Sequence, residues 1–209
     1  MPKNKVDSKP APHETETLDD RSTPPRAGDT CIVVGIGASA GGLDAFTQLL
    51  RALPTDTGMA FVLVQHLAAT HTSILAEILS RETSMPVTEV TSDAKTKHRV
   101  EVNHVYVIPP GQAMTIADGN LLLFEREAKG QPRVIDQFFS SLAEDRGHLA
   151  IGVILSGTAT DGTLGLEEIK AAGGITFAQD STAQFDGMPR SAIDSGCIDY
   201  ELSPTQIAE

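Results

Sequence analysis

The sequence predicts an α/β protein with a doubly wound, mainly parallel sheet, helices on both faces and an antiparallel hairpin at one edge. From Cys31 onward, short apolar runs rich in Val and Ile alternate with amphipathic stretches of helical length, as in strand-helix-strand units. The pair Asp118-Gly119 between two apolar runs indicates the hairpin. A chain of 209 residues with 40% hydrophobic content can form one domain with a sizeable core.

The predicted domain covers residues 30–209, and residues 1–29 are expected to form a disordered tail or linker. This first segment is rich in Pro, Thr and charged residues and has almost no large apolar side chains. Such a segment cannot bury enough apolar surface to offset the entropy lost on ordering.

The first half of the domain contains two strand-helix units and the hairpin. Residues 31–37 form a buried strand, and Leu and Phe recur at helical spacing over residues 43–53 until Pro54 ends that helix. A strand over residues 60–67 precedes a helix around residues 73–81. Further apolar runs predict a strand over residues 104–110 and the hairpin strands, 113–116 and 121–125.

The second half repeats the same alternation of helix and strand. A helix over residues 134–145 precedes a strand over residues 150–155. A helix over residues 164–174 closes on two glycines and leads into a strand over residues 174–180. A loop over residues 181–190 and a short helix over residues 191–196 are expected to follow.

Charge and composition exclude several classes of protein. A net charge of −12 provides no basic face for nucleic acid or for an anionic membrane surface. No apolar stretch has the length of a membrane span or the form of a signal peptide, so we expect a cytoplasmic protein that does not insert into membranes. Cys31 and Cys197 lack metal-ligand spacing, so we expect buried reduced thiols and no metal site. We also expect no cofactor.

Two motifs compete for the turn between the first strand and the first helix. Gly37-Ala38-Ser39-Ala40-Gly41 matches the nucleophile elbow G-x-S-x-G, in which small neighbours let a sharp turn expose the serine hydroxyl. The same segment also fits the dinucleotide fingerprint G-x-G-x-x-A, through Gly35, Gly37 and Ala40. Either motif alone is weak evidence.

The ends of two other strands favour the serine motif. A dinucleotide needs an acidic residue at the end of the second strand, but that strand ends in Gln65-His66, and an imidazole there can accept a hydroxyl proton. Asp161 follows a later strand and could orient that imidazole, or it could simply cap the helix that follows. Since ligands bind beyond the carboxyl ends of the strands in doubly wound sheets, we expect Ser39, His66 and Asp161 to lie together.

Five segments resemble, in order along the chain, the signatures of the CheB methylesterase family: residues 37–42, 65–67, 153–157, 160–162 and 187–190. The resemblance implies hydrolysis of glutamate γ-methyl esters on the methylated cytoplasmic helices of chemoreceptors, and in many members deamidation of receptor glutamines. It implies that Ser39 is the nucleophile, His66 the general base and Asp161 the orienting acid.

Other assignments accompany this resemblance. The backbone N–H groups of Ala40 and Thr158 are candidate oxyanion donors. Met188 and Arg190 are candidate substrate-binding residues, although Arg190 could instead pair with a nearby carboxylate. Many family members have threonine at the position of Ala40, and the segment 130–136 is shorter than the basic stretch many of them carry.

We expect no phosphoacceptor receiver domain before the catalytic domain, and residues 204–209 look like a helix cut short. Both features resemble the catalytic module of larger fusions that join methylesterase, methyltransferase and sensor segments. Two other interpretations stay open at this point, a catalytically idle interaction module and a dinucleotide-binding protein.

Overall fold

A computed structural model describes residues 31–66, 74–92, 98–126 and 133–209. Four sequence predictions concern other residues and lie outside the described part of the chain. These are the tail over residues 1–29, Leu67 of the second strand, the first residue of the helix predicted from residue 73, and residues 130–132 of the segment 130–136.

Seven parallel strands form the main sheet, in the order β10-β9-β8-β1-β2-β5-β3. The strands are β1 (Val33–Ala38), β2 (Ala60–Gln65), β3 (Val87–Glu89), β4 (His98–Arg99), β5 (His104–Val107), β6 (Gln112–Ala117), β7 (Asn120–Glu125), β8 (Ala150–Ile154), β9 (Ile175–Gln179) and β10 (Tyr200–Leu202). The predicted strand runs correspond to β1, β2, β5, β8 and β9, while the short β3, β4 and β10 were not predicted. Segments of two or three residues carry too little periodicity to be recognised.

Helices cover both faces of this sheet, which confirms the doubly wound prediction. They are α1 (Gly42–Ala52), α2 (Leu75–Leu79), α3 (Val134–Arg146), α4 (Thr163–Ala171), α5 (Gly187–Asp194) and α6 (Pro204–Ile207). One apolar cluster contains Phe138 and Phe139 of α3, and the cluster on the opposite face contains Phe46 of α1. The central strands are therefore buried on both sides, which explains why they read as continuous apolar runs.

The predicted hairpin is present, but it belongs to a separate sheet of order β4-β7-β6. Asp118 and Gly119 at its turn have φ 49° and 71°, the conformation that two-residue hairpin loops favour. Met114 and Ile116 are buried, and the N–H of Ile116 donates to Ser141 Oγ of α3 at 3.1 Å. The hairpin thus buries its apolar face against α3 and does not extend the edge of the main sheet.

Close packing explains the two glycines of the dinucleotide fingerprint. A Cβ on Gly35 would lie 3.0 Å from the rings of Phe138 and Phe139, and a Cβ on Gly37 would lie 2.4 Å from Ile135 Cγ2. Both glycines stand inside β1, where helix α3 approaches the strand closely. Their presence therefore needs no bound dinucleotide.

Helix α5 begins earlier than predicted, at Gly187, so the prediction of a loop over residues 187–190 was wrong. Pro189 is tolerated because the first N–H groups of a helix have no acceptor within the helix. Met188 and Arg190 consequently lie on the first turn of α5 and not on a free loop.

Candidate active site

Ser39 stands in a tight turn between β1 and α1. Its N–H donates to the carbonyl of Ser156 at 3.0 Å, and its carbonyl accepts from the N–H of Gly42 at 3.0 Å and from Gln65 Nε2 at 3.0 Å. Gly41, with φ 73°, is the N-cap of α1, and a Cβ there would lie 2.6 Å from Ser156 Oγ. The second glycine of the G-x-S-x-G motif is therefore required both by backbone conformation and by space.

His66 follows directly from β2, which is the neighbour of β1. The pairing of Ala38 with Gln65 places the next residue of each strand, Ser39 and His66, side by side at the carboxyl edge. His66 Nε2 lies 2.7 Å from Asp161 Oδ2, and the imidazole is 23% exposed. The histidine thus combines a buried acidic partner with a face open to solvent.

Asp161 is held by the N-terminus of α3. Its Oδ2 accepts from the N–H of Ile135 at 3.0 Å, and its Oδ1 accepts from the N–H of Asp136 at 2.9 Å. Burial raises the pKa of Asp161, but the hydrogen bonds from His66 and from these two amides more than offset burial, so the pKa lies below its ordinary value. The carboxyl group is therefore ionised beside His66.

Asp161 does not cap α4, the helix that follows it in the chain. The N-cap of α4 is Gly162, with no side-chain cap. Asp161 instead satisfies amides at the second and third positions of α3, whose own N-cap residue, Arg133, has no side-chain cap hydrogen bond.

A second carboxylate, which the sequence analysis did not identify, caps α4 in return. Asp136 is 7% exposed, and its Oδ1 accepts from the N–H groups of Gly162 at 2.9 Å and Gly165 at 3.0 Å. Burial raises the pKa of Asp136, the Gly165 amide lowers it, and the nearby Asp161 charge raises it again, with a raised pKa as the net result. The sequence does place an aspartate in the first turn of a predicted helix. It does not indicate which backbone N–H groups that aspartate binds.

Ser156 ties three loops together behind the site. Its Oγ donates to the Ala40 carbonyl at 2.8 Å and accepts from the N–H of Phe185 at 3.0 Å, and its N–H donates to Gln179 Oε1 at 2.9 Å. Ser156 is 1% exposed. This buried polar network, whose donors and acceptors are satisfied, thus holds the turn that carries Ser39 in place.

The two predicted substrate-binding residues lie outside the cavity beside Ser39. Met188 is fully buried under Gly157, where a Cβ would lie 2.1 Å from its Sδ. The Arg190 side chain is 70% exposed, and its Nε lies 3.4 Å from Asp194 Oδ1, so the structure shows the carboxylate pairing. A substrate contact by either residue stays a prediction.

A cavity of about 420 Å³ opens beside Ser39. The described residues that line it are Ser39, His66, Arg133, Thr158, Ala159, Thr160 and Asp161. Ala159, one of these lining residues, takes φ 68°, a left-handed conformation that is rare for a residue with a side chain. Among the described residues, the backbone N–H groups of Ala40 and Thr158 donate to no protein acceptor, so they are available to a ligand.

Two arginines were also missed by sequence reasoning. Arg126 donates from Nε to the Gln112 carbonyl at 2.8 Å and from Nη2 to the Gln65 carbonyl at 3.5 Å, so it connects the hairpin sheet to the strand that carries His66. Burial lowers the pKa of Arg126, and the Asp161 charge raises it. The second, Arg133, is a cavity residue that no motif indicates.

Cys31 and Cys197 are free and buried, as expected, and burial raises the pKa of each thiol. None of the helices in the described ranges is long and apolar enough to cross a membrane. Within those same ranges, no three His, Cys, Asp or Glu side chains form a group that could hold a metal ion.

The fold and this cluster define an α/β protein that presents a serine, a histidine and an aspartate in one cavity at the carboxyl edge of a parallel sheet. Serine hydrolases use this set of side chains. Residues 34–209 match the CheB methylesterase family, which confirms the resemblance drawn from the motifs. The chain belongs to the CheB methylesterase family.

Individual relatives agree with this assignment. A Leptospira interrogans protein is 38% identical over 178 residues, which are 83% of this chain and 90% of that protein. The protein-glutamate methylesterase/protein-glutamine glutaminase of Photorhabdus laumondii is 35% identical, over 80% of this chain and 48% of its own length. The crystal structure of the Thermotoga maritima CheB methylesterase catalytic domain has a TM-score of 0.74 and 29% identity, over 85% of this chain and 95% of that one.

The carboxylate of Asp136 is expected to stabilise the fold through its acceptor oxygen and not through its charge. Asp136→Ala should lower the free energy of unfolding by about 2–4 kcal/mol, because two buried N–H groups lose their acceptor. Asp136→Asn, which keeps Oδ1, should cost clearly less. Urea unfolding measures both, with the exposed Asp194→Ala as a control. Equal losses for the Ala and Asn variants would contradict this explanation.

Asp161 should make stability depend on acid pH. Because its folded-state pKa is lowered, its ionised form contributes stability that is fully present above the pKa of an unfolded aspartate, about 4. That contribution is lost as pH falls through the lowered folded-state value. Asp136 has the opposite effect on the pH dependence. Because its folded-state pKa is raised, its contribution to stability is present at low pH and is lost as pH rises.

Urea unfolding of the wild type and of Asp161→Asn from neutral pH downward isolates the effect of Asp161. The difference in free energy of unfolding between the two proteins should shrink on acidification. A difference that stays constant over that range would mean that the Asp161 charge does not stabilise the fold.

Proposed function

We propose that this protein is a serine hydrolase that removes methyl groups from glutamate γ-methyl esters of chemoreceptors. The observation that carries the proposal is the 2.7 Å pair between His66 and Asp161 in the cavity that Ser39 also lines, in a chain of the CheB methylesterase family. The proposed roles are nucleophile for Ser39, general base for His66 and orienting acid for Asp161.

The first half-reaction forms a covalent glutamyl-enzyme. Since Nε2 of His66 faces Asp161, Nδ1 is the nitrogen proposed to take the proton from Ser39 Oγ. The oxygen attacks the ester carbonyl, and the N–H groups of Ala40 and Thr158 stabilise the negative charge that develops on the carbonyl oxygen. Collapse of the tetrahedral intermediate breaks the bond to the methoxy group, and the imidazolium returns its proton to release methanol.

The second half-reaction restores the enzyme. His66 takes a proton from a water molecule, the hydroxide oxygen attacks the glutamyl-serine carbonyl, and the proton goes back to Ser39 Oγ as that bond breaks. The product is a glutamate carboxylate. A glutamine side chain entering the same route would release ammonia in place of methanol, which would give the deamidation that the name of the Photorhabdus relative records.

The proposed substrate segments are the methylated cytoplasmic helices of chemoreceptors, which implies that the enzyme works in the cytoplasm. The chain spans about half the length of the Photorhabdus relative, so this catalytic unit occurs within longer proteins. A parent protein that also carries methyltransferase and sensor segments is part of the proposal.

Ser39→Ala should abolish release of methanol from a methylated receptor cytoplasmic fragment, with a loss on the order of 10⁴-fold or more because the nucleophile is absent. The exposed Ser181→Ala is the matched control and should keep wild-type turnover. Thermal unfolding would show that both variants are folded. Comparable turnover by folded Ser39→Ala would rule out the serine mechanism.

Asp161→Asn should lower kcat by about 10²–10⁴-fold with little change in KM, because it removes imidazole orientation and charge stabilisation and no substrate contact. Steady-state kinetics on the same fragment measures both constants. A variant that only raised KM would make Asp161 a binding residue instead.

Turnover by the wild type should also fall at acid pH, since a protonated imidazole cannot accept the serine proton.

A further inference from the structure

Arg133 places a permanent positive charge in the cavity beside Ser39. Of the described residues that line this cavity, it is the one with a guanidinium group. Its side chain is 52% exposed, and Nη2 lies 2.8 Å from Asp136 Oδ2. The site therefore holds a solvent-accessible cation in a chain whose net charge is −12.

The cation is not needed to build the site around it. Backbone amides of α3 hold Asp161, and backbone amides of the α4 turn occupy Oδ1 of Asp136. Of the influences on the pKa of Asp136, the Arg133 charge is the smallest. The Asp136 side chain of this pair is buried, but its Oδ1 keeps two backbone donors when the half-exposed guanidinium turns toward another carboxylate.

A substrate with carboxylates near its ester needs such a cation. The carboxylate of Asp161 lines the cavity, that of Asp136 contacts the lining residue Arg133, and together with the overall charge they repel an acidic helix. A guanidinium offers a planar pair of N–H donors that matches a carboxylate, and this geometry favours one specific acidic side chain over a general attraction.

We propose that Arg133 binds a carboxylate on the substrate helix about one turn from the ester, and so selects methyl esters that have acidic neighbours. This inference rests on the proposed function and names a specificity-determining residue for it. On binding, the substrate carboxylate replaces Asp136 Oδ2 at Arg133, while Asp136 keeps its two backbone donors. The chemistry at Ser39 is the same with or without that contact.

The test uses two helical peptides with one glutamate methyl ester each, which differ only in having glutamates or glutamines three and four residues away. Arg133→Gln should raise KM for the acidic peptide by about fivefold or more, as expected for one partly exposed charge-assisted pair, and leave kcat unchanged. KM for the glutamine peptide should change by less than about twofold. Arg133→Lys should recover part of the loss, because it restores charge without the planar fork.

Arg81→Gln is the matched control, since Arg81 is also an exposed arginine paired with a carboxylate close to it in the chain, that of Glu77, but lies outside the cavity. It should leave KM for both peptides unchanged. In about 0.5 M NaCl the preference of the wild type for acidic neighbours should shrink, because salt screens an exposed pair.

Binding of the same peptides to Ser39→Ala protein, with and without Arg133→Gln, tests the inference without turnover. If the wild type releases methanol from neither peptide, the proposed function fails, yet this binding comparison still decides the role of Arg133. The inference is overturned if Arg133→Gln affects both peptides equally, if it lowers kcat, or if Arg81→Gln has the same effect.

Discussion

The site depends on two aspartates that cap the N-termini of α3 and α4 reciprocally. Asp161, from the turn before α4, accepts hydrogen bonds from the first turn of α3, and Asp136, from the first turn of α3, accepts from the first turn of α4. Each side chain does for the other helix what an N-cap residue does for its own. These reciprocal hydrogen bonds fix the distance between α3 and the β8–α4 turn, and therefore the position of the Asp161 carboxylate that His66 contacts.

Sheet order brings the remaining groups to that carboxylate. Strand β1 lies between β2 and β8, so the three segments that follow these strands meet at one edge of the sheet. The chain passes from β1 to β2 on one side and reaches β8 on the other, which makes this the point where the winding direction reverses. Loops on the two sides of such a point diverge and leave a crevice, and the cavity beside Ser39 occupies it.

Backbone dipoles, more than cations, compensate the buried negative charge of the site. Burial raises the pKa of Asp161, but the hydrogen bond from His66 and those from the amides at the start of α3 lower it below its ordinary value. This arrangement leaves the nearby guanidinium groups available for other contacts. Arg126 uses its donors on the carbonyls of Gln65 and Gln112, while Arg133 faces the cavity. A backbone dipole cannot leave the site or exchange partners, so the orienting charge of Asp161 stays fixed.

The sequence by itself determined the alternation of strands and helices, the hairpin turn at Asp118-Gly119 and the placement of Ser39, His66 and Asp161 at strand ends, because periodicity and turn chemistry are local properties. Tertiary structure decided which amides hold Asp161, that Asp136 is its counterpart, and that Arg133 faces the cavity. Those contacts join residues 25–29 positions apart through helix packing, and no local pattern encodes them. The start of α5 and the separate hairpin sheet depended on packing for the same reason.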